Sequence, residues 1–144
     1  AAECGGFLYL GRSLEDADGK AWPMADVLPG DGIRVGRLVR FGYAEMTAKA
    51  DSMLFCAGET LPIHEFHHWD STANGTAFTG YDLIIRVLEY HSGAFTARKN
   101  EKMQWECGFA NENFYAGFPH LYWAGTPLPG RFVRAAERYS KTKG

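Results

Sequence analysis

A cysteine close to the start of the chain is the first place where this sequence could do chemistry: Ala2-Glu3-Cys4-Gly5-Gly6. A thiol on a sharp turn between a strand and a helix projects clear of the sheet, and the helix N-terminus favours its thiolate. The next backbone N–H, from Gly5, can then face a developing oxyanion. Ala2, Gly5 and Gly6 are small enough for the turn to be tight and for a substrate to approach the backbone. The same residues also suit a structural cysteine packed beside a Gly-Gly turn, and the pattern alone leaves both open. A nucleophilic thiol needs a base brought near in space. There are five histidines to choose from, His64, His67, His68, His91 and His120. His120 lies in Phe118-Pro119-His120-Leu121-Tyr122, just after an expected strand, and strand ends are where α/β sites lie.

His64-Glu65-Phe66-His67-His68 offers a rival chemistry, because it spells the zinc-peptidase pattern H-E-x-x-H. That pattern needs His64 and His68 on one helical face, with Glu65 as general base. Pro62 just upstream and the run Asp70-Ser71-Thr72-Ala73-Asn74-Gly75 just downstream argue against a helix. On a strand the two histidines would still share a face but stand roughly 13 Å apart, too far to ligate one zinc ion. The other readings of the cluster are a polar strand face packed by aromatics, or a substrate-facing strand whose Glu65 and His67 support a site.

The elements that must position these residues read as follows. Ala1-Ala2-Glu3 suits a strand end, Cys4-Gly5-Gly6 a tight turn, and residues 7–14 a short helix with Phe7, Leu8, Leu10 and Leu14 inward. Pro29-Gly30-Asp31-Gly32 marks a turn. Ile33, Val35, Leu38, Val39, Phe41 and Tyr43 suggest one strand, with Gly36 or Gly42 as the places where it could break. Further strands are expected at 53–56, 63–69, 83–88, 105–109 and 114–118, with a loop at 70–75. After Pro127-Leu128-Pro129-Gly130 a helix is expected at 131–140, with Phe132, Val133, Ala136 and Tyr139 as its apolar stripe. The order turn, helix, strands, helix gives an α/β or α+β class, and the early elbow favours α/β.

At 144 residues, 46% hydrophobic and 22% charged, the chain reads as one domain, 1–144, able to bury a core. Aromatics make up 15%, which suits both a packed core and a ligand groove. Net charge is −2, and the basic stretches at 98–102 and 141–143 are short, so no nucleic-acid partner is expected. No apolar run approaches the ~20 residues of a membrane helix, and no membrane partner is expected. Three scattered cysteines do not form a disulfide framework, which points to a reducing, cytoplasmic setting. The chain opens without Met on a strand end, so it reads as trimmed or as beginning inside a longer protein.

Three segments together resemble the glutamine amidotransferases of the cobyrinic acid a,c-diamide synthase family. Ala2-Glu3-Cys4-Gly5-Gly6-Phe7-Leu8-Tyr9-Leu10 looks like that family's nucleophile elbow, and His64-Glu65-Phe66-His67 is similar to its central H-E-F-H segment. Residues 113–123, Asn-Phe-Tyr-Ala-Gly-Phe-Pro-His-Leu-Tyr-Trp, resemble its late A-S-Y-L-H-L-H segment, whose first histidine is the catalytic base. Pro119 and Gly117 depart from that segment, and Tyr122 stands two residues after His120, where triad amidotransferases of the wider class carry a Glu.

The resemblance implies a class I, flavodoxin-like amidotransferase sheet, of which this chain is the C-terminal portion from the elbow onward. It implies Cys4 as nucleophile and His120 as base, with Glu65 as the candidate to orient His120. Gly5, Gly6 and His67 are implied at the oxyanion and substrate side, with glutamine as the bound substrate and no metal. It implies an ATP-dependent synthetase domain or subunit, with ATP and Mg bound there and not in this chain. The whole would amidate the a and c carboxylates of cobyrinate, or a related corrinoid or other tetrapyrrole, in cobalamin biosynthesis. No G-x-x-x-x-G-K-[ST] occurs in this sequence, so no P-loop is expected in it. Two alternatives stand beside this reading, a zinc-dependent hydrolase using His64, Glu65 and His68, and a non-catalytic amidotransferase-like binding module. Apolar surface is expected where further strands would pack, with self-association through a sheet edge.

Overall fold

The structure, a computed structural model, describes residues 1–82 and 104–142. The expected strand at 83–88, His91, the basic stretch at 98–102 and Lys143 lie outside the described residues. The described chain is mixed α/β, with twelve strands in three sheets and two helices.

The first sheet carries the elbow. β1 (Ala2–Glu3) runs parallel to β11 (Tyr115–Gly117), which pairs antiparallel with β10 (Phe109–Ala110). Between β1 and α1 (Gly5–Tyr9) stands Cys4. The helix is shorter than the expected 7–14. The chain turns at Gly11, where a Cβ would lie 2.9 Å from the Gly30 carbonyl oxygen, and Arg12 N–H bonds that same oxygen at 2.9 Å. A second sheet follows from β2 (Ser13–Glu15), β3 (Ala21–Pro23), β4 (Asp31–Arg34) and β7 (Trp69–Ser71) in the order β3-β2-β4-β7.

The third and largest sheet is antiparallel, in the order β12-β6-β5-β8-β9. Its strands are β5 (Arg40–Ala48), β6 (Thr60–His67), β8 (Phe78–Asp82), β9 (Gln104–Cys107) and β12 (His120–Leu121). The single strand expected across 33–43 is therefore two strands in two sheets, β4 and β5. The break falls at Gly36, whose φ of +73° is the left-handed conformation that glycine tolerates best. Likewise the expected 63–69 divides into β6 and β7, which takes two residues of the expected 70–75 loop, and 105–109 divides into β9 and β10 at Gly108. Residues 53–56 form a turn, not a strand: Ser52 N–H bonds Phe55 O at 2.9 Å, and Met53 N–H bonds Asn111 O at 2.7 Å. The apolar run there is explained by burial, since Met53, Leu54 and Phe55 all point into the core.

The main core lies between the third sheet and that turn, built on Met46, Leu54, Phe55, Ile63, Phe78 and Tyr115. Full burial of side chains this size is worth ~1.5–3 kcal/mol each. A second, smaller cluster holds Phe7, Leu8, Leu28, Ala116 and Phe118 under the elbow. The closing helix, α2 (Leu128–Thr142), is longer than expected and packs by another side. Leu128 and Ala135 are buried, whereas Phe132, Val133 and Tyr139 are exposed. Its first turn is tied down by Arg131, which reaches Leu54 O at 2.8 Å and Glu59 Oε2 at 2.5 Å.

Candidate active site

Cys4 occupies a backbone conformation that L-residues rarely adopt, φ 49° and ψ −109°. Its N–H is held by Gly117 O at 2.9 Å, and its carbonyl accepts from Leu8 N–H at 3.0 Å, so β11 and α1 together fix the bend. Strand, sharp turn and helix in this order put the thiol on a nucleophile elbow. A Cβ built on Gly5 meets nothing within 4 Å, and one on Gly6 meets only Ala2 Cβ at 3.7 Å. Both glycines are exposed, and the space beside them is open for a substrate to approach the backbone.

The half-buried thiol is held above its ordinary value of 9.0. Burial is the largest cause, opposed by the Gly5 N–H beside the sulfur, with the charges of Glu65 and Glu3 adding to the rise. The short helix therefore does not leave Cys4 ionised at neutral pH, and the thiol needs a base. That Gly5 N–H lies where a negative charge on or near the sulfur would be met.

His120 sits on β12, opposite His64 of β6, with the two rings 6.4 Å apart. Its Nδ1 lies 3.5 Å from Glu3 Oε2, and the second oxygen of Glu3 accepts from Trp123 Nε1–H at 2.9 Å. The expected partner of His120, Glu65, is elsewhere. Side chains alternate along a strand, so β6 turns His64 and Phe66 to one face and Ile63, Glu65 and His67 to the other. His120 shares the face of His64, and Glu65 the opposite one. There Glu65 is 2% exposed and held by Arg40 Nε at 3.0 Å, His67 Nε2 at 3.2 Å and Trp105 Nε1 at 3.3 Å. Arg40 also lies over the Trp105 ring at 3.8 Å.

His67 is buried too. Its Nδ1 faces Trp69 O at 2.7 Å, and its ring stacks on Phe118 at 3.9 Å with an angle of 4°. With Nε2 on Glu65 and one face covered, His67 braces the base of the second core instead of presenting a nitrogen at the oxyanion side. Buried Glu65 and His67, with half-buried Arg40, line a cavity together with Asn74 and Cys107. Because residues 60–67 are a strand, the helical H-E-x-x-H geometry does not form, and among the described residues no three His, Cys, Asp or Glu side chains gather as a metal site.

Residues 1–127 match the family described as the CobB/CobQ-like glutamine amidotransferase domain. The chain belongs to that family. Among curated proteins similar to it, the cobyrinate a,c-diamide synthase of Salmonella typhimurium is 34% identical over 140 residues, 95% of this chain and 28% of that protein. The cobyrinate a,c-diamide synthase of Limosilactobacillus reuteri is 42% identical over 127 residues, 88% of this chain and 26% of that protein. That of Caldanaerobacter subterraneus subsp. tengcongensis is 31% identical over 120 residues, 83% of this chain and 24% of that protein. The chain thus spans about a quarter of the length of the curated relatives it matches.

Within this amidotransferase domain, Cys4 directly follows β1 and His120 lies on β12, the first and last of the described strands, and His120 stands close to the Glu3 carboxylate. Sequence reasoning missed Glu3. The available signal was its place directly before Cys4, at the end of the expected strand. No helix among the described residues is long and apolar enough to cross a membrane.

Proposed function

We propose that this chain is the glutaminase part of an ATP-dependent amide ligase of the cobyrinate a,c-diamide synthase type. The observation that carries the reading is the Cys4 elbow, bent at φ 49°, beside two exposed glycines with open space above them. Glutamine binds with its side-chain amide over Cys4. His120 takes the thiol proton, and the sulfur attacks the amide carbon. The Gly5 N–H steadies the oxyanion. The proton passes from His120 to the departing nitrogen, ammonia leaves, and a γ-glutamyl thioester remains. Water, deprotonated by His120, hydrolyses the thioester to glutamate and restores the thiol.

Ammonia then serves a synthetase domain that activates a corrinoid carboxylate with ATP and Mg. The sequence has no G-x-x-x-x-G-K-[ST] cradle to hold the nucleotide as a P-loop does, and no step here runs through it. The parallel pairing of β1 with β11 suits one edge of a class I, flavodoxin-like sheet, and β1 is the terminal strand of its sheet among the described residues. Strands from the rest of a longer synthase would pair there. Three free cysteines, one of them the nucleophile, fit work in the cytoplasm.

The test is glutamine hydrolysis by the full-length protein and by its Cys4→Ala variant. Loss of at least ~10³-fold in the variant is expected for removal of a covalent nucleophile. An unchanged rate would overturn the reading.

A further inference from the structure

We propose that Glu3, the residue before the nucleophile, is the carboxylate that positions His120 for proton exchange with Cys4. The inference rests on the glutaminase reading above and names a part of the site that the sequence assigned elsewhere.

An imidazole that serves a thiol must present one nitrogen and have the other held. In the triad arrangement the holding carboxylate sits on Nδ1, which fixes the tautomer and steadies the imidazolium that forms, and leaves Nε2 for the nucleophile. Here the carboxylate beside Nδ1 of His120 is Glu3, at 3.5 Å. That separation exceeds a direct hydrogen bond. Such contacts are commonly long in unliganded sites and tighten around substrate.

The carboxylate is itself oriented. Trp123 Nε1–H donates to its other oxygen at 2.9 Å, and the Glu3 side chain is only 21% exposed. Trp123 follows His120 closely on the same segment, so one stretch of chain grips Glu3 through both an indole and an imidazole. Glu3 in turn is part of β1, directly before the Cys4 bend. The nucleophile and its base are thereby referenced to one side chain.

The rival positions do not serve. Tyr122 carries no carboxylate and is 65% exposed. Glu65 is on the opposite face of β6 and is occupied by Arg40, His67 and Trp105. The same negative charge that helps hold the Cys4 thiol protonated stabilises His120 once the proton has moved. Glu3 touches neither substrate nor sulfur in this role, so it is a positioning residue.

The experiment compares glutamine hydrolysis by the full-length protein with its Glu3→Gln, Glu3→Asp, Trp123→Phe and Cys4→Ala variants. It is paired with proton NMR of the downfield imidazole N–H region. Glu3→Gln keeps the side-chain size and an oxygen for Trp123 but turns an amide toward Nδ1–H. Expected are a fall in kcat on the order of 10²-fold in Glu3→Gln, a KM for glutamine within about twofold of the parent, and loss of the downfield His120 signal. Glu3→Asp restores part of the rate and the signal. Trp123→Phe lowers kcat in the same direction with KM unchanged, and it carries the test if Glu3→Gln does not fold. A Glu3→Gln or Trp123→Phe enzyme with parental kcat, beside an inactive Cys4→Ala, overturns the role of Glu3 alone. A fully active Cys4→Ala overturns the glutaminase reading and this inference with it.

Discussion

At the scale of single residues, the site depends on a cysteine kept in an unfavourable backbone conformation and kept protonated. Backbone strain of this kind costs on the order of 1–3 kcal/mol and persists only where the surroundings enforce it. Here Gly117 O and the first turn of α1 do so. The thiolate is the reactive form, and burial, with the Glu65 and Glu3 charges, raises the Cys4 thiol above 9.0 despite the Gly5 N–H. Iodoacetamide should therefore alkylate Cys4 more slowly at pH 8 than it alkylates a free cysteine peptide. The rate should keep rising as pH passes 9, as mass spectrometry of the Cys4 peptide over time would show. A plateau below pH 8 would mean a resting thiolate and remove the need for a base. The Cys4 elbow was legible from Ala2-Glu3-Cys4-Gly5-Gly6 because a tight elbow demands small neighbours. The carboxylate partner was not, because its assignment turns on which face of β6 looks toward β12, and that depends on register rather than composition.

At the scale of elements, β11 is the piece that joins the Cys4 elbow to the segment that carries His120. All three of its residues are buried. Tyr115 enters the main core against Phe55 and Phe78, at ring distances of 5.7 and 5.6 Å, while Ala116 enters the cluster under the elbow. Tyr115 O–H also donates to Pro119 O at 3.1 Å, one residue before His120. Tyr115→Phe leaves that carbonyl without its partner in a buried place, which costs roughly 1–3 kcal/mol. For a domain of this size the melting temperature should fall by roughly 4 °C or more, and glutaminase kcat should fall while KM holds. Unchanged melting and kcat would show that Pro119 needs no such anchor. Sequence reasoning located β11 and the end helix because apolar residues and Pro or Gly punctuation bound them, but it left His120 just past a strand end where β12 forms. It merged β9 with β10 because a single glycine at positive φ redirects a strand without breaking its apolar run, whereas for β4 and β5 it had offered Gly36 or Gly42 as the break and the structure turns at Gly36. It also turned α2 the wrong way, since the Phe132-Val133-Tyr139 stripe is left exposed while smaller Ala135 faces the core.

At the scale of the whole molecule, two packed clusters share one seam. Cys4 is carried by the cluster of Phe7, Leu8, Leu28, Ala116 and Phe118. His120 is carried by β12, whose Leu121 enters the main core beside Ile63. The mixed α/β class was readable from the order of elements. The arrangement in three sheets was not, because most pairings join residues far apart in sequence and depend on which strands find each other last. Outside the seam, Phe41, Tyr43 and Phe66 stand exposed in one aromatic file on β5 and β6. The seam has a further consequence for how the protein should fail. Reacting atoms mounted on separate bodies lose alignment through a small slip that leaves each body intact. Under rising urea, glutaminase activity should therefore vanish before far-UV circular dichroism changes, because the small cluster buries less apolar surface than the large one and loosens first. Coincident loss of the two signals would mean that elbow and sheet behave as one cooperative block. Activity lost first would make working and being folded separable properties of this chain, lost in that order.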